Sequence, residues 1–198
     1  MSMSRDVLRV LTNFGDTAVV VPLSALLILL IWKLESRKAA WSLARATLAC
    51  LVMMAALKFF LLSCSHATGL PASSPSGHAA LTLFFYGSVA TVAFVRQGRL
   101  ARVVTVLLAL GLIAAVAVSR VTLDAHTSLE VVTGLFVGLL SLAWFVNSYH
   151  ELPHARIQLP VPALVLAPVL MLTLGKQLPA EQTLRYLVPN FQVSVCPI

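Results

Sequence analysis

The sequence predicts an all-α, polytopic membrane protein, and three observations carry that prediction. Hydrophobic residues make up 59% of the 198 positions and charged residues only 11%, against roughly 25% charged in a soluble domain. A chain of this length has too little interior to hide so much apolar surface, so a water-soluble monomer is excluded. Disorder is excluded as well, because it needs the opposite balance of charge and hydropathy. The apolar stretches are continuous rather than alternating, which selects helices over a β-barrel. Finally, six stretches without a formal charge, at 17–32, 46–57, 79–95, 103–119, 131–149 and 157–175, occupy most of the sequence.

Taken in order, residues 2–14 come first. Val7, Leu8, Val10, Leu11 and Phe14 alternate there with Arg5, Asp6 and Arg9, the pattern of a short helix lying in the membrane interface. The first span lacks a small-residue cleavage site and is expected to be a retained helix rather than a processed signal. The second charge-free stretch falls short of the roughly 20 residues a span needs; extended to 43–62 it takes in Lys58. Six transmembrane helices then fill one membrane-embedded domain over 1–198, with short loops at 33–45, 96–102 and 150–156. Pro22, Pro160, Pro162 and Pro168 predict local kinks repaired by neighbouring groups. No internal repeat suggests an inverted-repeat transporter. Residues 178–198 are expected along the outer surface.

Orientation follows from the basic residues near span ends. Lys33, Arg37, Lys38, Arg45, Arg96, Arg99, Arg102 and Arg156, eight of the fourteen, fall on one side. The positive-inside rule puts that side in the cytoplasm and both termini outside. The expected location is a bacterial-type inner membrane. The net charge of +7 needs no nucleic-acid partner, because basic loops can sit against anionic headgroups.

On the other side, polar residues cluster where hydrocarbon would be expected. The second span ends in Lys58, Ser63, Cys64, Ser65 and His66. The third is preceded by Ser73, Ser74, Pro75, Ser76, Gly77 and His78. The junction of spans four and five carries Ser119, Arg120, Asp124, His126 and Glu130. These segments meet on one face because even numbers of crossings separate them. An unpaired lysine inside a span is expensive, although a snorkelling lysine would also account for Lys58. Lys58 and Arg120 beside a helix start suggest an oxyanion pocket. The Ser76 and Gly77 amides, at the start of that helix, can point at an anion. His126 and Glu130 are four apart and on a helix would share a face. The carboxylate would then fix one imidazole tautomer while the other ring nitrogen attacks. His78 can protonate a departing oxygen.

These residues resemble the type 2 phosphatidic acid phosphatase (PAP2) family. Its second motif, PSGH, stands here as Pro75-Ser76-Gly77-His78; its third, Ser-Arg, five residues, His, three residues, Asp, stands as Ser119-Arg120, His126 and Glu130. The resemblance implies a PAP2-like bundle of six helices and dephosphorylation of a membrane lipid phosphate or an isoprenoid pyrophosphate. It implies His126 as the nucleophile forming a phosphohistidine, Glu130 as its orienting partner and His78 as general acid. Lys58, Ser76, Gly77 and Arg120 would bind phosphate. Neither metal nor cofactor is implied, and the partners are the lipid substrate and the bilayer, with oligomeric state left open.

The sequence departs from the family in two places. The first motif, Lys, six residues, Arg-Pro, begins at Lys58 but reaches Ser65-His66, so its arginine is missing. Loss of one phosphate clamp costs on the order of 2–5 kcal/mol if nothing replaces it; protonated His66 would partly compensate. Three outcomes stay open: altered substrate preference, a weaker enzyme, or a lipid-binding or transport protein without turnover. The second departure, Glu130 in place of aspartate, keeps the charge on a longer arm. A zinc hydrolase using His66, His78, His126, Cys64, Asp124 and Glu130 is a rival, disfavoured because Lys58 and Arg120 would face the metal. Cys50 is expected to pack inside the second span, and Cys64 and Cys196 lie on the side where a disulfide between them would persist.

Overall fold

The computed structural model describes residues 2–68 and 74–152, with side chains described throughout except at 2–4, 65–68 and 96. Among the described residues six helices follow one another: α1 (Ser2–Asn13), α2 (Thr17–Leu34), α3 (Arg37–Thr68), α4 (Gly77–Arg96), α5 (Arg99–Thr122) and α6 (Ser128–His150). Among the described residues five helical segments are long and apolar enough to cross a membrane. They correspond to the first five expected spans. The sixth, 157–175, lies outside the described residues, as do Arg156, Cys196 and the 178–198 segment.

Helix boundaries differ from the sequence expectation, which places the basic residues in loops. Only Glu35 and Ser36 separate α2 from α3, and only Gln97 and Gly98 separate α4 from α5. Lys38 and Arg45 therefore sit on α3, and Arg99 and Arg102 on α5. Lysine and arginine are good helix formers whose long arms carry the charge to water, so a charge does not end a helix. Polar caps do. The Asp16 carboxylate accepts from the Ala18 amide at 2.8 Å, and the Ser36 hydroxyl accepts from the Ala39 amide at 3.1 Å, each satisfying an orphan donor of the first turn. Pro22 lies inside α2 without interrupting it.

Helix α3 has 32 residues. At 1.5 Å per residue it outruns the roughly 30 Å hydrocarbon layer. Lys58 stands about 30 Å along it from Arg37, a distance comparable to the thickness of that layer.

The core forms where α4 packs against α2, α3, α5 and α6. Leu27, Ile31, Leu43, Cys50, Phe84, Phe145 and Tyr149 are buried in it. Cys50 packs inside α3 as expected, and its thiol is free. Close approach of α4 and α6 depends on glycine: a Cβ on Gly138 would stand 2.5 Å from the Ala80 carbonyl oxygen. Leu107, Leu108, Leu129, Val132, Phe136 and Trp144 point outward and are exposed, as a bilayer-facing surface requires.

Candidate active site

Antiparallel packing brings the start of α2, the later turns of α3, the start of α4, the end of α5 and the start of α6 to one end of the bundle. The PSGH segment enters α4 there. Proline at 75 disfavours helix at the residue before it, and Ser76 stays extended as the α4 N-cap, its hydroxyl accepting from the Ala79 amide at 3.4 Å. Ser74, Pro75 and Ser76 are all buried.

Glu130 pins this segment to α6. Its Oε1 accepts from the Ser74 amide at 2.6 Å, and its carbonyl accepts from the Ser76 amide at 2.9 Å. Its Oε2 accepts from the Thr127 amide at 2.9 Å, completing a capping box with the Thr127 hydroxyl. The same Oε2 lies 3.2 Å from His126 Nδ1. One carboxylate thus holds the PSGH approach, the α6 cap and the histidine.

Two expectations change here. His126 is not on α6; it precedes the cap, its amide donating to the Arg120 carbonyl at 3.1 Å. The His126–Glu130 pairing therefore arises from capping-box geometry, not from a shared helical face. The Ser76 amide, expected to face an anion, donates to Glu130 instead. The first-turn amides left without an intrahelical acceptor, including those of Gly77 and His78, are the ones a helix start offers to an anion.

Lys58 completes this side. A Cβ on Gly77 would stand 3.9 Å from Lys58 Cε and 4.0 Å from Nζ, so the ammonium lies against the α4 N-terminus. Its residue is only 8% exposed, more enclosed than a lysine snorkelling to water. Gly134 lets α6 reach the same turn: a Cβ there would run into the Ser76 carbonyl oxygen.

His78 and Arg120 are held from elsewhere. His78 Nε2 stands 3.4 Å from Asp16 Oδ2, and Arg120 Nη1 donates to the Thr12 hydroxyl at 3.2 Å. Thr12 and Asp16 are both buried and flank the turn between α1 and α2. Gly15 presses that turn onto α4 and α5, where a Cβ would stand 2.9 Å from the His78 carbonyl oxygen and 3.0 Å from Val116 Cγ1. The Tyr86 hydroxyl donates to the Phe14 carbonyl at 3.2 Å. Asp124, at φ 55°, makes the sharp turn between α5 and α6, a conformation aspartate tolerates.

The structure thus joins Lys58 to Gly77, and joins Glu130 to His126 and Ser76; it ties His78 and Arg120 to Asp16 and Thr12 at the same end. The His66 side chain lies outside the described residues. Sequence reasoning missed Thr12, Asp16 and Gly134. The signals were present: Asp16 is one of only seven acidic residues and directly precedes an apolar run, as an N-cap does. Gly134 and Gly138 are spaced as in GxxxG, the pattern of close helix contact in membranes.

Cys64, on α3 at this end, is disulfide-bonded. Among the described residues no three His, Cys, Asp or Glu side chains group as a metal site.

No curated protein and no solved structure matches the chain. Residues 58–153, just under half of the chain, match the PAP2 superfamily, a span running from Lys58 through both motif segments to beyond α6; the match selects no subtype.

Proposed function

We propose that the protein is a metal-independent phosphatase of membrane lipid phosphates or isoprenoid pyrophosphates, working through a phosphohistidine on His126. The observation that carries this reading is the junction of α4 and α6, where Glu130 holds His126 beside a helix N-terminus backed by Lys58. With Nδ1 hydrogen-bonded to Glu130, Nε2 attacks phosphorus, forming the P–N bond as the P–O bond to the leaving group breaks. His78 gives its proton to the departing oxygen. Water, losing a proton to His78, then hydrolyses the P–N bond and releases phosphate. Lys58, Arg120 and the first-turn amides of α4 stabilise charge on the non-bridging oxygens. Asp16 orients His78, and Thr12 orients Arg120.

The substrate's chains remain in the bilayer while its phosphate enters at the boundary where Lys58 stands. We assign that end to the exterior. The basic residues at the opposite end support this, and so does the Cys64 disulfide, because disulfides persist in oxidising compartments.

The missing first-motif arginine keeps a second reading in view: a protein that binds lipid phosphates without turning them over. Phosphate release from a panel of lipid mono- and pyrophosphates, with purified wild type and His126→Ala in excess chelator, separates the two. Release by wild type that is lost in a folded His126→Ala variant supports the enzyme. Binding without release by wild type supports the alternative, and full activity in His126→Ala refutes the mechanism.

A further inference from the structure

At the end of the bundle opposite His126, the first turns of α3 and the last turn of α6 frame a cavity of about 420 Å³. Arg37, Lys38 and Arg45 line it, together with Trp41, Ser42 and Ser148. None of these residues belongs to the site described above.

The cavity concentrates positive charge without a matching acid in its lining. Arg37 and Lys38 open α3, whose first turn carries no acidic residue, so two cations stand beside the positive end of the helix dipole, an arrangement an anion relieves. Nearby Glu35 is engaged by the Tyr149 hydroxyl at 3.2 Å, and Glu151 sits at the C-cap of α6. Arg45 folds back so that its Nε donates to the Trp41 carbonyl at 3.4 Å. Ser42 supplies an independent observation. It is only 5% exposed, and its hydroxyl is buried without a hydrogen-bond partner, a costly state for a polar group in a protein interior.

What lies beside the cavity identifies the kind of anion. Trp41, Leu48 and Val52 are 64%, 62% and 56% exposed and, with Arg45, follow helical spacing down one face of α3. On α6, exposed Trp144 and Leu140 precede Ser148 by one and two turns. A cationic, hydroxyl-bearing cavity thus continues into apolar stripes directed toward the bilayer middle. We propose that it holds the headgroup of an anionic phospholipid from the leaflet on that side, with the acyl chains lying along these stripes. A soluble phosphate would have no use for the stripes, and a zwitterionic lipid would leave the three cations unneutralised. This site does not depend on the phosphatase reading.

Native mass spectrometry of the full chain, titrated with phosphatidylglycerol or phosphatidylcholine in detergent, tests it. Wild type is expected to retain phosphatidylglycerol preferentially. The variant Arg37→Gln/Lys38→Gln/Arg45→Gln is expected to lose at least about tenfold in that affinity. Ser148→Trp, which fills the cavity and keeps every charge, is expected to lose it too. Lys58→Ala/His126→Ala is expected to bind as wild type, which keeps this site apart from the other end. Equal retention of both lipids by wild type overturns the proposal, as does wild-type binding by Ser148→Trp. Displacement of phosphatidylglycerol by millimolar inorganic phosphate overturns the assignment to lipid.

Discussion

Replacing Glu130 by aspartate installs the acid that the family motif carries, yet the structure predicts a loss. The Glu130 carboxylate reaches in two directions, to the Ser74 amide at 2.6 Å through Oε1 and to the Thr127 amide at 2.9 Å and His126 at 3.2 Å through Oε2. Removing one methylene withdraws the carboxylate by about 1.5 Å. Aspartate still suits the first turn of a helix, so α6 survives, but the shorter arm cannot hold both Ser74 and His126. A hydrogen bond to a charged group contributes about 1.5–3 kcal/mol. Felt wholly in the transition state, that loss lowers kcat by roughly 10- to 150-fold. The assay is phosphate release from a lipid phosphate in mixed micelles, alongside thermal unfolding in the same detergent. Glu130→Gln serves as the companion, keeping the length and removing the charge. Wild-type kcat and an unchanged unfolding midpoint for Glu130→Asp would refute the argument that the reach of this side chain assembles the site.

Two further predictions concern Asp16 and Gly134, which the motifs do not contain, with the motif residue His78 as a comparison for the first. Asp16→Asn is expected to slow hydrolysis of an alkyl phosphate much more than that of p-nitrophenyl phosphate, because a good leaving group needs little help from His78; equal loss on both substrates would mean that Asp16 only supports the fold. His78→Asn should show the same selectivity. Gly134→Ala forces a Cβ against the Ser76 carbonyl and is expected to destabilise by about 1–3 kcal/mol through overpacking, with activity falling as the PSGH turn is displaced; an unchanged unfolding midpoint and activity would show that α6 can yield there.

Much of the architecture is legible in composition and spacing. Continuous apolar stretches had to become helices, because a backbone in lipid must satisfy its own hydrogen bonds, and even numbers of crossings carried both motifs to one end. Helix ends were harder to read. Charge alone suggests a loop at Arg37, Lys38 and Arg45, whereas the caps, Ser36 and Asp16, mark where helices begin. The pairing of His126 with Glu130 was expected, but for the wrong geometric reason.

Spacing along the chain is a local property, and it was enough to determine helices, the side on which polar groups collect and the candidate pair His126 and Glu130. Tertiary structure decided what lies against them. That Asp16 meets His78, that Thr12 meets Arg120, and that the Ser76 amide is taken by Glu130 depends on packing between segments far apart in sequence. Such contacts are set by how closely helix surfaces approach, and at Gly134 that approach turns on the absence of one methyl group.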